Sequence, residues 1–220
     1  MLHGALNLSR KKPHKILILG GGDGLLLSEL VKNDFSKITL VELDQQMIEL
    51  SKNHYALSYL NQDVLKQKSN DIKIVIDDGF NYIRSHKDKY DAIFIDFPYP
   101  YSDEIINLYS REFYTIVNSR LNNNGFMILD FPITDTNSQR AGVLAHKLRK
   151  TLHTAGIKNI FSFGPYSSFI YAQKSNFPLS FDYEKLPQGL SLSTQLNLVS
   201  LEHLFNEVEK YKPFSLFYGE

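Results

Sequence analysis

Lys15-Ile-Leu-Ile-Leu-Gly-Gly-Gly-Asp-Gly24, followed by Ile38-Thr-Leu-Val-Glu-Leu-Asp44, decides the fold of this chain. A short apolar run ends in clustered glycines, a helical pattern follows, and a second apolar run ends in an acid. That order is the front half of a nucleoside-binding βαβ unit. Glycine has no Cβ, so the backbone there can turn sharply and come close to a ligand. An acid at the tip of the second strand can accept both hydroxyls of a ribose, and the distance from Gly24 to Glu42 is close to the roughly 20 residues such units use.

Outward from this stretch, apolar runs alternate with helical patterns. Strands are predicted at 15–20, 37–43, 72–77, 91–96 and 125–130, and helices at 24–33, 44–53, 80–85, 103–120 and 137–155. Apolar strands separated by helices imply a parallel sheet covered on both faces. Leu121-Asn-Asn-Asn-Gly125 reads as the C-terminal cap of the fourth helix. After Gly156 two short strands, 159–163 and 169–173, flank Gly164-Pro-Tyr-Ser-Ser168 and predict a terminal hairpin. A sheet that is parallel until a final reversed strand is the class I methyltransferase-like layout, whereas the NAD-binding Rossmann layout continues in parallel. The expectation is one domain over 1–220, with a core at 14–175 and an extension at 176–220 carrying a helix near 200–210.

Composition narrows the function classes. The 220 residues are 43% apolar and 22% charged, and 24 basic residues balance 24 acidic ones. Without a basic excess, nucleic acid is not the expected partner. Arg10-Lys-Lys12 and the stretch from Arg84 to Lys89 read as solvated faces. There is no cysteine, so disulfides and thiolate chemistry are excluded. No apolar run approaches the ~20 residues of a membrane span, and residues 1–12 lack a signal-peptide core. The expected location is the cytoplasm. The seven histidines have no metal-ligand spacing, and no metal is expected.

In an open α/β sheet, ligands bind beyond the carboxyl ends of the strands. Asp23, Glu42, Asp78, Asp96 and Asp130 all fall at or just past predicted strand ends. A pocket ringed by carboxylates suits a cation, such as a sulfonium nucleoside or an amine, better than a pyrophosphate. Bland readings stand beside these. Asp23 and Asp44 can each cap the helix that follows them, and one of Asp77 and Asp78 can do the same. Asp96 opens Asp-Phe-Pro-Tyr-Pro100, a loop that two prolines stiffen. Tyr99, Tyr101 and Tyr166 lie in predicted loops, where they can line a pocket or pack at its rim.

Gly20-Gly-Gly-Asp-Gly24, Val41-Glu-Leu-Asp44, Asp78-Gly79 and Leu108-Tyr-Ser-Arg-Glu-Phe-Tyr114 together resemble the spermidine synthase (polyamine aminopropyltransferase) family. The resemblance runs from about Leu2 to Gln173. It implies a class I methyltransferase-like fold that moves an aminopropyl group from decarboxylated S-adenosylmethionine to an amine such as putrescine. It also implies Gly20, Gly22, Gly24 and Gly79 as parts of the nucleoside site, Glu42 on the ribose and Asp78 on the adenine amino group. Asp23 would face the aminopropyl ammonium, and Asp96 would orient or deprotonate the attacking amine. A homodimer is a further expectation of the resemblance. Tyr99, the second candidate catalytic residue, stands where the family has another aspartate; Asp130 or Asp103 is the alternative carboxylate. The family also carries an N-terminal β-rich domain with a Tyr-His pair, which on this reading the chain lacks, and the stretch 164–168 is shorter than the family's amine-contacting loop. Two other functions stay open: a nucleoside-binding homologue without catalysis or dependent on a partner, and a methyltransferase using S-adenosylmethionine itself.

Overall fold

A computed structural model describes residues 1–98, 103–131, 139–163 and 169–182. The predicted helix near 200–210, Tyr99, Tyr101 and Tyr166 lie outside the described residues. The glycine stretch forms β1 (Ile16–Gly20) running into α2 (Leu25–Lys32), after an N-terminal helix α1 (Leu2–Leu8) that the sequence reading did not anticipate. Next come β2 (Ile38–Glu42), α3 (Gln45–Asn53), α4 (Tyr55–Leu60), β3 (Ile72–Ile76), α5 (Gly79–Ser85) and β4 (Tyr90–Asp96). The chain continues through α6 (Asp103–Ile106), α7 (Arg111–Arg120), β5 (Leu121–Asp130), α8 (Gln139–Thr154), β6 (Asn159–Phe163) and β7 (Phe169–Gln173).

Among the described residues the strands form a seven-stranded sheet in the order β3-β2-β1-β4-β5-β7-β6. β1 to β5 are mutually parallel, and β7 lies between β5 and β6, antiparallel to both. The hairpin is therefore the expected one, and the sheet is class I methyltransferase-like. Strand residues alternate between two cores, as a pleated sheet buried on both faces requires. Leu17, Leu19, Ile93, Ile95, Met127 and Leu129 face α5, α7 and α8. Ile16, Ile18, Leu40, Phe94, Phe126 and Ile128 face α1, α2 and α3.

Two local readings are corrected. The predicted helix over 103–120 is broken: α6 gives way to a 3₁₀ turn, Asn107–Tyr109, and α7 starts afresh. Ser110 causes the break, because its Oγ accepts from the Phe113 N–H at 3.2 Å as an N-cap. The asparagine run after α7 belongs to β5 rather than to a helix cap. Tyr90 pairs with Leu121 but Ala92 pairs with Phe126, so Asn122, Asn123 and Asn124 loop out as a bulge within the strand. Asn122 is held there by donating to Asp91 Oδ1 at 2.7 Å.

Candidate active site

Parallel pairing puts the carboxyl ends of β1 to β4 on one edge of the sheet. Gly20 is level with Asp96, and Glu42 with Ile76. The chain leaves each strand there, and the loops enclose a cleft of about 580 Å³, within the range of small-molecule sites. Gly20, Gly22, Asp23, Glu42, Asp78, Gly79 and Asp96 all line it. Gly24 does not. It sits at φ 76° as the N-cap of α2, where an added Cβ would meet Leu65 at 2.9 Å.

The glycine loop and Glu42 are built against each other. Glu42 Oε2 accepts from the Gly22 N–H and Oε1 from the Asp44 N–H, each at 2.9 Å. An added Cβ at Gly22 would lie 2.7 Å from Glu42 Cγ and 2.8 Å from Oε2, so the absent side chain makes room for the carboxylate. At Gly20 (φ 82°) an added Cβ would sit 2.0 Å from the Asp96 carbonyl oxygen, which lets β1 and β4 end side by side.

The capping readings and the cleft-lining readings turn out to be compatible. Asp44 caps α3 by accepting from the Gln46 N–H at 2.8 Å, and Asp78 caps α5 through the Asn81 N–H at 2.7 Å; both also line the cleft. Asp23 accepts from the Leu25 N–H at 2.9 Å while lining it. Asp77 accepts from the Asp78 N–H and is not part of the lining. Asp130 ends β5 outside the lining, and burial raises its pKa above the ordinary carboxyl range.

Asp96 differs from the other four carboxylates of the cleft. Burial, reinforced by the negative fields of Asp130, Asp23 and Glu42, pushes its carboxyl up to about 6. A carboxylate with a pKa this near neutrality can both take and release a proton.

Several residues of the site were not singled out as candidate site residues in the sequence. Val41, Leu43, Met47, Phe97, Ile105 and Leu108 supply its apolar wall. Met47 lies on α3 less than two turns past Glu42, so its spacing could have marked it. Asn61 had no such mark. It is fully buried, and its Nδ2 donates to the carbonyls of Asp23 at 2.9 Å and Ser51 at 3.0 Å, tying the glycine loop to the end of α3. Among the described residues no group of histidine, aspartate and glutamate side chains could hold a metal ion, and no helix is long and apolar enough to cross a membrane.

Residues 1–167 match the family model of the spermine/spermidine synthase domain. The polyamine aminopropyltransferase of Korarchaeum cryptofilum is 33% identical over 183 residues, covering 81% of this chain and 55% of that protein. That of Sulfurisphaera tokodaii is 33% identical over 187 residues, covering 82% and 60%. The chain thus spans little more than half the length of these two relatives. Among solved structures, the spermidine synthase of Thermotoga maritima superposes with a TM-score of 0.65 at 23% identity, over 95% of this chain and 72% of that one. A spermidine synthase in complex with the transition-state analogue AdoDATO gives the same TM-score at 20% identity and the same two coverages.

Proposed function

We propose that this chain, which belongs to the spermine/spermidine synthase family, transfers an aminopropyl group from decarboxylated S-adenosylmethionine to a small amine. The observation that carries the reading is the convergence of Asp23, Glu42, Asp78 and Asp96 on one cleft. A sulfonium donor with a free ammonium and a protonated amine acceptor are both cations, and carboxylates offset their mutual repulsion. Glu42 would accept the ribose hydroxyls and Asp78 would take the adenine amino group. Gly20, Gly22 and Gly79 would give the nucleoside close access to the backbone, with Gly24 shaping the turn behind them. Asp23 would face the aminopropyl ammonium.

An ammonium has no lone pair, so the acceptor must lose a proton before it can attack. Asp96 is the group that would take it, being ionised above pH of about 6. The amine nitrogen then forms a bond to the aminopropyl carbon next to sulfur. The carbon–sulfur bond breaks, its electron pair stays on sulfur, and neutral methylthioadenosine leaves. Asp23 also separates this donor from S-adenosylmethionine, whose own carboxylate would meet a like charge there. Tyr99 would border the acceptor in this arrangement.

A second reading has one observation in its favour. Tyr99 replaces the family's second aspartate, and a phenol with a pKa near 10 does not balance an amine's charge. On that reading the chain binds the nucleoside without turnover. The test is methylthioadenosine release from decarboxylated S-adenosylmethionine across a panel of amines, alongside calorimetric titration of the donor. Release supports aminopropyl transfer. Donor binding without release from any amine overturns it in favour of the second reading, and methyl transfer from S-adenosylmethionine overturns both.

A further inference from the structure

The Leu108-Tyr109-Ser110 stretch marks the family resemblance in the sequence, yet the proposed chemistry gives it no task. In the fold each of its residues faces a different neighbour. Leu108 lines the cleft. Ser110 is buried, donates from Oγ to the Asn107 carbonyl at 2.7 Å and caps α7. Tyr109 is also fully buried, at the end of the 3₁₀ turn. Its hydroxyl reaches the Pro98 carbonyl at 3.0 Å, with the Phe97 carbonyl at 3.4 Å. Its ring meets Phe131 edge-on, with centroids 5.6 Å apart.

These contacts bind together the two segments that follow Asp96 and Asp130. The hydroxyl grips the backbone one and two residues past Asp96, and the ring rests on the residue after Asp130. From the other side, the Phe97 ring packs at a tilt against Phe113, with centroids 5.7 Å apart, and covers Gly79, where an added Cβ would lie 3.1 Å from it. Gly20 holds the Asp96 carbonyl in a space that no Cβ could share. Asp96 is thus held at its own carbonyl and through the two residues that follow it, and the Tyr109 hydroxyl is the polar part of the second hold.

Resting on the aminopropyltransferase reading, we propose that Tyr109 is a positioning residue: its hydroxyl fixes the chain that leaves Asp96 and so aims the carboxylate at the acceptor amine. A bare packing role predicts something different, because phenylalanine would fill the same space. Tyr109→Phe keeps the ring and deletes only the hydroxyl, leaving the Pro98 carbonyl without that donor.

The expected result is a fall in kcat of about 10-fold, the scale of one misdirected proton acceptor. The affinity for decarboxylated S-adenosylmethionine stays within about twofold, since the nucleoside contacts lie on β1, β2 and α5. The acid limb of the kcat profile moves to lower pH, because a released loop admits water to Asp96. The groups facing that carboxyl are Asp130 on β5, Asp23 in the glycine loop, Glu42 on β2 and the Met1 amino group, which acts in the opposite sense. The substitution touches none of them.

Unchanged kcat with only a lower Tm would overturn the proposal, as would a loss of kcat that merely tracks a loss of donor affinity. The ¹³C carboxyl shift of Asp96, titrated in both proteins, reads the same effect without turnover. If the unaltered protein releases no methylthioadenosine, the activity reading fails on its own account. Identical Asp96 titrations in the two proteins would then overturn the role of Tyr109 separately.

Discussion

Asp96→Asn should make the protein more stable at neutral pH. Burial and three neighbouring carboxylates raise the Asp96 carboxyl from an ordinary 3.8 to about 6. In the unfolded chain that pressure is gone, so between pH 4 and 6 the folded state holds the proton more tightly. The sign follows: as pH rises through this window the folded state loses its advantage, and above it Asp96 is a net cost. At 1.36 kcal/mol for each tenfold change in ionisation, the cost at pH 7.5 is about 3 kcal/mol, or about 2 after allowance for the solvent at the mouth of the cleft. Asparagine has nearly the same shape and no charge, so it removes this cost. Urea unfolding of both proteins at pH 7.5 and pH 4 measures the difference, with equal m-values required for a clean comparison. The expected gain is about 2 kcal/mol at pH 7.5, shrinking toward zero at pH 4. A gain of equal size at both pH values, or a loss at pH 7.5, would refute the electrostatic account of Asp96. The same variant should lose about 10²- to 10⁴-fold in turnover if Asp96 is the proton acceptor, so stability and activity would move in opposite directions.

Other outcomes follow from the same geometry. Gly22→Ala should weaken binding of decarboxylated S-adenosylmethionine about 10- to 100-fold, because its Cβ displaces a carboxylate whose hydrogen bonds contribute about 1.5–3 kcal/mol each. Gly22 needs no positive φ, so Tm should change by only a few degrees, and calorimetry with Glu42→Gln and the double variant should give non-additive losses. In the unaltered protein kcat should rise with pH through about 6 as Asp96 ionises; a profile flat from pH 5 to 7 would remove Asp96 as the proton acceptor. Asn61→Ala strips donors from the buried carbonyls of Asp23 and Ser51. It should cost about 1–3 kcal/mol in denaturant unfolding and also weaken donor binding; a variant as stable as the parent would show that water replaces both bonds.

Much of this arrangement could be read from residue order because its signals are local. β1, β2 and the hairpin strands each carry an apolar run bounded by turn residues, and their observed limits differ from the expected ones by at most a residue. The acids of the cleft were legible through one rule, that chains leave parallel strands on the ligand side. What failed depends on partners distant in sequence. Asn122 to Asn124 look like a helix cap until β4 is placed beside them, and only then do they become a bulge. Ser110 and its α-breaking hydroxyl sit inside a stretch whose periodicity alone favours one continuous helix. α4 has no buried residue, so no apolar stripe announces it. Asn61 and Tyr109 act through hydrogen bonds to backbone carbonyls 38 and 11 residues away, and such bonds leave no pattern in composition or spacing.

The order of strands also bears on how the chain reaches this state. β5 pairs with β4 on one side, but its other side waits for β7, whose partner residues lie roughly 40 positions further on. A nascent chain emerging N-terminus first can assemble the five parallel strands while β5, the longest of them, still presents an open backbone edge. β6, made before β7, cannot serve, because among the described residues it pairs only with the strand that follows it. Among the described residues, the last strand synthesised is thus the one that seals the interior. Such late closure by sequence-distant pairing slows folding and lengthens the period in which one chain's edge can capture another's.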